Sequence, residues 1–379
     1  MNEYSRGARR PALPAFALAL LAACGGGNNE TASATHRAEE AVLHVYNWSD
    51  YIGKTTIADF EAKTGIKVIY DTYDSNELLE TKLLTGRTGY DVVFPSSTFL
   101  GRMAKVRVFR KRDKLLLPNL TNMDSEIMRQ IAVNDPGNVH GIGYMWGTTG
   151  LGYNPVFVKK ALGIDVLDSW SVIFDPVVAS KLQQRGITIV DSPDDVFESA
   201  EIHLGTDPGN EDLGELKAAE ELLLSIRPYV RSFDSTLHSN ALASGEICVA
   251  LSWSGFMLQA RARGASAVRP VEVDYVIPKE GAPLYSDTVA IPADAPHPSN
   301  VHAFLNFLME PEVIADISNH IGYANGNNAS LPFVNQALKD DASVYPPQEI
   351  REMLRPSRAR SQNYSREMNR AWTRIKTGQ

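Results

Sequence analysis

Leu43-His44-Val45-Tyr46-Asn47-Trp48-Ser49-Asp50-Tyr51 begins the stretch that decides the fold. Leu43 to Val45 reads as a strand. Thr55 to Lys63 reads as a helix with Ile57 and Phe60 turned inward, and Gly65 stops it. Ile66-Lys67-Val68-Ile69-Tyr70 follows, with Ile66, Val68 and Tyr70 on one face. In the next helix Asp74 and Glu77 have capping-box spacing, and Leu78, Leu79 and Leu83 supply the buried stripe before Gly86. Asp91-Val92-Val93-Phe94 then reads as a buried strand ending in Pro95-Ser96-Ser97. Strand, helix, strand, helix, strand predicts a parallel sheet with helices on both faces, because each connection must cross over the sheet.

Farther along, a second unit is expected after the glycine-rich run Trp146-Gly147-Thr148-Thr149-Gly150-Leu151-Gly152. Ile187 to Val190 and Ile247 to Leu251 are its clearest strands. The strand Val271 to Ile277 leads into Pro278-Lys279-Glu280-Gly281, a second expected crossing between units. Two α/β lobes are the economical reading of 379 residues. No internal repeat appears, and the only long small-residue tract is Gly25 to Ala41.

The first residues place the chain in the cell. Arg6, Arg9 and Arg10 precede a mostly apolar run, Pro11 to Ala23, that is too short to span a bilayer and is shaped like a signal peptide. It ends in Leu21-Ala22-Ala23-Cys24, which resembles the bacterial lipobox, so residues 1–23 are expected to be removed and Cys24 acylated. Residues 24–41 would then be a lipidated tether. With Cys24 committed to lipid, Cys248 has no partner within the chain. The formal net charge of −8 argues against nucleic acid and favours cationic solutes.

The loop from Tyr46 to Tyr51 joins three aromatics to a carboxylate at a strand's carboxyl end, where open α/β sheets bind ligands. Ring faces attract a cation, and a carboxylate supplies the charge and hydrogen bonds a desolvated ammonium needs. The same residues suit a second reading, with Trp48 and Tyr51 in a core and Asp50 capping a helix. Asp191-Ser192-Pro193-Asp194-Asp195, Ser252-Trp253-Ser254-Gly255 and Tyr285-Ser286-Asp287 also stand beside predicted strands. Taken singly, Asp194 and Asp195 suit helix caps, Trp253 a core and Asp287 a turn. Their recurrence at strand ends is the argument for a site. No Gly-x-Ser-x-Gly elbow, phosphate loop or His-Glu-x-x-His motif is present, and His297 and His302 lack ligand spacing and are expected on solvated surface. No metal and no cofactor are expected.

Tyr46 to Tyr51, Phe60 to Val68, Tyr144-Met145-Trp146 with Thr148-Thr149-Gly150, Ile277 to Gly281 and Tyr323-Ala324-Asn325 together make the chain resemble the polyamine-binding proteins of bacterial ABC importers, nearest the putrescine-binding members. The resemblance runs from Leu43 to near Lys376. It implies a two-lobed periplasmic binding fold of type II, each lobe a mixed, mainly parallel sheet flanked by helices, with ligand between lobes that close about a hinge. The N-terminal lobe would comprise 42–146 and 279–322, and the C-terminal lobe 147–278 and 323–379. The implied function is capture of putrescine, spermidine or a related amine for an ABC permease, by a monomeric, non-enzymatic, membrane-anchored lipoprotein of the periplasm. The resemblance places Trp48, Tyr51, Trp253, Tyr285 and Tyr323 around the methylene chain, and Ser49, Asp50, Ser96, Asp195 and Asp287 toward the amines. A binding protein for another small cation or an amino acid, possibly sensory in role, is the alternative; a periplasmic hydrolase using paired carboxylates is a remote one.

Three positions depart from the family's pattern. Phe256 stands where putrescine-binding members carry a second carboxylate, Asp195 where they carry Glu, and Arg185 where they carry a cysteine that pairs with the equivalent of Cys248. Loss of the carboxylate at 256 leads us to expect spermidine, agmatine or another amine to be preferred over putrescine.

Overall fold

The computed structural model describes residues 39–378; the expected signal peptide and Cys24 lie outside them. β1, Val42–Trp48, lies between β2, Lys67–Tyr73, and β3, Val92–Val93, and both neighbours run parallel to it. The helices Thr56–Thr64 and Asn76–Leu84 make the crossovers, as the pattern predicts. Phe60 is fully buried with its ring edge-on to Phe304 at 4.9 Å.

Two local expectations are corrected. Tyr46, Asn47 and Trp48 are not loop but the end of β1, paired with Asp71, Thr72 and Tyr73. Asn47 hides this in the sequence, because a polar residue normally ends an apolar run. Here its side chain is buried yet satisfied, accepting from Trp48 N (2.8 Å) and donating to the Tyr51 carbonyl (3.2 Å). The second helix is capped by Ser75, whose hydroxyl accepts from Leu78 N, rather than by Asp74. Leu79 and Leu83, one turn apart, face the core, and Leu78 is left 49% exposed.

The remaining strands are β4 (Ile142–Tyr153), β5 (Ile187–Ile189), β6 (Val230–Phe233), β7 (Val249–Trp253), β8 (Asp274–Val276), β9 (Ala282–Val289), β10 (Ala324–Asn325) and β11 (Leu354–Pro356). They form a mixed sheet of order β11-β9-β4-β7-β5-β6, with β8 and β10 also pairing with β4. β5 is parallel to β6 and β7, whereas β4 is antiparallel to β7 and β9.

β4 contains the glycine-rich run that had suggested a boundary. All twelve of its residues are buried. Glycine serves close approach here: a Cβ on Gly147 would collide with the Tyr285 hydroxyl. β4 and β9 each feed two hydrophobic cores. Ile142, Tyr144 and Val289 join the core around Phe60, Phe304 and Ile317, while Leu151, Tyr153 and Leu284 join the core around Phe197, Leu223 and Trp372.

His297 and His302 are packed rather than solvated. Asp91 is fully buried and accepts from His297 N (2.8 Å), with His297 Nδ1 at 3.0 Å. His302, on the helix Pro298–Leu308, accepts from Asp113 N at Nε2 (2.9 Å) and donates from Nδ1 to the Pro298 carbonyl (2.7 Å).

Cys248 is a buried free thiol against the Leu182 and Gly186 carbonyls, and burial pushes it up to about 11. Arg185 instead lays its guanidinium over Phe157 at 4.1 Å and donates to the Gly245 carbonyl (2.8 Å). In a Cys24→Ser chain at neutral pH we expect iodoacetamide to label Cys248 only after unfolding. Stoichiometric labelling of folded protein would refute that burial. Among the described residues no helix is long and apolar enough to cross a membrane.

Candidate functional site

A cleft of about 290 Å³ gathers residues from β1, β7, β9 and the helix starts that follow several strands. At its floor Asp287, on β9, is 8% exposed and accepts a 2.7 Å hydrogen bond from Tyr51 Oη. Loss of hydration pushes this carboxyl up to about 7; the Tyr51 bond opposes the shift and the charge of Asp195 adds to it. Tyr51 is fixed in turn, its carbonyl accepting from Tyr144 Oη (2.7 Å) and its ring edge-on to Tyr323 at 5.0 Å. Burial, and the carboxylate it serves, hold the Tyr51 phenol well above its ordinary range.

Asp195 occupies the first turn of the helix Pro193–Leu204, where the helix dipole favours an anion. One carboxylate oxygen accepts from Thr149 Oγ1 (2.5 Å) and the other from Ser192 Oγ (2.6 Å). Burial still raises its pKa, with those two bonds and one from Trp253 acting against the rise.

Aromatic faces stand around the two acids. Trp48 Nε1 donates to the Phe94 carbonyl (2.8 Å), and Tyr73 Oη donates to the same oxygen (2.6 Å), which locks both rings. Trp253 tilts against Phe256 at 5.6 Å, and Phe256 stacks on buried His238 at 5.9 Å. Burial pushes His238 down to about 4, so this neighbour is neutral at physiological pH. Tyr323 lies directly over Gly255, where a Cβ would overlap its ring.

All eleven residues singled out from the sequence line this one cleft. Ser49 and Asp50 are exposed; Ser49 Oγ donates to Asp74 (2.8 Å), and Asp50 holds a φ of 53°. Ser96 sits opposite Asp287 in an isolated antiparallel bridge, with its N donating to Asn76 Oδ1 (3.1 Å). Phe256 is half-buried and reaches the cleft rather than only the core. Tyr285 and Asp287 lie inside β9, not at a strand end as expected.

Asp74 and Glu77 line the cleft without having been singled out as site residues, and Asp191 and Asp194 join Asp195 from the loop that was, making seven carboxylates against the single cation Arg263 among the described lining residues. Burial pushes Asp194 up to about 6, with Arg102 and Arg360 pulling it down and Asp195 and Glu77 adding to the rise. Arg263 is held by neutral acceptors, Ser239 Oγ and Asn240 Oδ1 at 3.1 Å and Gln259 Oε1 at 3.0 Å. By sequence alone Asp74 and Asp194 suit helix caps, and helix starts after strands are where caps and ligand contacts coincide. No grouping of His, Cys, Asp and Glu able to hold a metal occurs among the described residues.

Carboxylates set among ring faces select a cation with an apolar body. The carboxylates replace lost hydration and the rings cover carbon at about 0.8 kcal/mol per methylene.

The family model for bacterial extracellular solute-binding proteins matches residues 55–345. The putrescine-binding periplasmic protein SpuD of Pseudomonas aeruginosa is 46% identical over 96% of this chain and 99% of its own length. The putrescine-binding periplasmic protein PotF of Escherichia coli is 43% identical over 91% of this chain and 94% of its own. The solved structure of the spermidine/putrescine ABC transporter substrate-binding protein PotD of Streptococcus pneumoniae superposes with a TM-score of 0.76 at 24% identity, covering 89% of this chain and 99% of that one, and so bears on the fold. With the two-lobed α/β architecture and a cleft between cores, these matches mean that the chain belongs to the bacterial extracellular solute-binding proteins.

Proposed function

We propose that this protein captures a polyamine, either putrescine, spermidine or a related amine, outside the cytoplasm and delivers it to an ABC importer. The observation that carries the reading is the pair Asp287 and Asp195 set among Trp48, Trp253 and Tyr285 in one cleft. Asp287 and Asp195 anchor different amine groups, and the rings of Trp48, Tyr51, Trp253, Tyr285 and Tyr323 enclose the methylenes. Ser49, Asp50 and Ser96 offer polar contacts at the mouth. Names given to the relatives above support the ligand class. Binding rather than turnover is the activity, the ligand leaving unchanged.

Phe256 gives its side of the cleft a ring and no charge, so amines other than putrescine should bind best. The two lobes are assigned as 42–146 with 279–322 and 147–278 with 323–379. The contribution of β4 and β9 to both cores supports a hinge along them. Acylation at Cys24 would hold a monomer at the membrane.

A melting panel tests the reading. Putrescine, spermidine, agmatine and cadaverine should raise the melting temperature, while acidic amino acids and sugars should not. No response to any amine would overturn the proposal, and calorimetry showing putrescine far ahead of the others would remove the role given to Phe256.

A further inference from the structure

Away from the cleft, one segment reverses the charge of this acidic chain. Lys105, Arg107, Arg110, Lys111, Arg112 and Lys114 fall within ten residues of a protein whose net charge is −8. Arg112 is buried and donates to the Gly141 and Asn138 carbonyls, and Lys114 Nζ reaches the Gly137 carbonyl at 3.1 Å. Among the described residues, Lys105, Arg107, Arg110 and Lys111 form no ion pair. The one carboxylate in the segment, Asp113, caps the turn Lys114–Leu116 by accepting from Leu115 N (2.9 Å). Exposed apolar side chains lie among these cations: Leu115 is 91% exposed, Val106 63% and Leu116 52%.

Cations alone would be a solvated face, and exposed leucines alone would be unremarked. Their combination is the chemistry of an interfacial contact, in which apolar side chains enter the headgroup region and cations meet anionic lipid. Position gives an independent reason to look toward the bilayer. Glu39, at the start of the described chain, accepts from Ser299 N (2.9 Å) and Asn300 N (3.2 Å) in the first turn of the helix Pro298–Leu308. His302, in the next stretch of that helix, accepts from Asp113 N beside Leu115. The chain leading back to Cys24, fifteen residues before Glu39, therefore joins the body next to this patch.

We propose that the segment from Lys105 to Leu116 is a membrane-contacting surface that seats the protein on anionic phospholipid. The positional part of the case rests on the acylation proposed above; the charge and apolar parts do not. The test accordingly uses a full mature chain carrying Cys24→Ser, which has no acyl group. It is floated with phosphatidylcholine vesicles that contain either no phosphatidylglycerol or about 30 mol% of it.

Partitioning onto the anionic vesicles only, and its loss as salt rises past the screening range, is the expected result. Neutralising Lys105, Arg107, Arg110 and Lys111 together to Gln should lower that partitioning more than about tenfold. Leu115→Ser with Leu116→Ser should lower it too. An unchanged amine-induced melting shift shows that both variants remain folded and bind ligand. Equal flotation on both vesicle types, or full retention by either variant, overturns the proposal. If neither vesicle binds but detergent-purified permease is bound and both variants lose it, the surface belongs to a protein partner and the lipid assignment is wrong.

Discussion

Asp287→Ala should weaken amine binding by roughly two to three orders of magnitude while leaving a cooperatively folded protein. An ammonium brought into this cleft gives up its hydration, and removing the partner of a buried charge costs about 3–5 kcal/mol, with each 1.4 kcal/mol worth about tenfold in affinity. Asp287 is the most enclosed of the cleft carboxylates and Tyr51 Oη already orients it, so no other acid replaces it without movement. Asp287→Asn keeps an acceptor for Tyr51 and should still lose most of the affinity, since charge and not shape is what the ammonium misses. Calorimetry on both variants with the preferred amine decides the matter, and affinity within threefold of the parent would exclude Asp287 from the site.

The pH dependence follows from the same group. Its folded value of about 7 lies above the ordinary 3.8. A carboxyl raised in the folded state contributes stability that is present below the unfolded pKa and is lost as pH rises through the folded pKa. Asp194, Glu198 and Glu201 are raised by burial to about 6, about 8 and about 7, so they act with the same sign. The ligand-free protein should therefore melt lower at pH near 8 than at pH near 5, and Asp287→Asn should flatten part of that slope. Amine binding runs the other way. A cation that requires Asp287 ionised must displace its proton at low pH, so affinity should rise up to about tenfold per pH unit below 7 and level off above it.

The parallel three-stranded unit was legible because β1 and β3 are apolar and largely buried, β2 keeps Val68 and Tyr73 inward, and Gly65 and Gly86 punctuate the helices between them. Other elements were hidden by residues whose usual meaning is overridden once partners are in place. Asn47 reads as the end of a strand until Tyr51 and Trp48 satisfy its amide. The glycine-rich run of β4 reads as a boundary, yet Gly147 and Gly150 make room for the rings of Tyr285 and Tyr275 and Gly152 for the Met257 side chain. Asp287 reads as a turn residue, although the Tyr51 hydrogen bond satisfies its carboxylate inside β9. The site's aromatics and central acids could be named in advance, since ring and carboxylate recur beside predicted strands. Asp194, Asp74 and Glu77 could not be separated from helix caps, because the same residue types serve both purposes at the same points of an α/β fold.

Gly255→Ala is expected to damage the cleft through Tyr323 and to cost stability as well. Gly255 is the second residue of the helix Ser254–Ala265, where alanine is intrinsically the better helix former. The substitution would be mildly favourable if propensity decided it. Packing decides instead, since the new methyl would occupy the Tyr323 ring position. That ring is 5% exposed, stands edge-on to Tyr51, and borders the cleft, so a ring pushed aside enters the cleft or strains its packing. Overpacking of this kind costs about 1–3 kcal/mol and sometimes more. Displacing Tyr323 would also disturb Tyr51 and, through it, Asp287, so amine affinity should fall at least about tenfold. A double-mutant cycle separates this route from a general loss of fold. In a Tyr323→Ala background the methyl meets open space, and Gly255→Ala should then cost little stability and no further affinity. Equal penalties in both backgrounds would mean that Gly255 acts through something other than the Tyr323 ring.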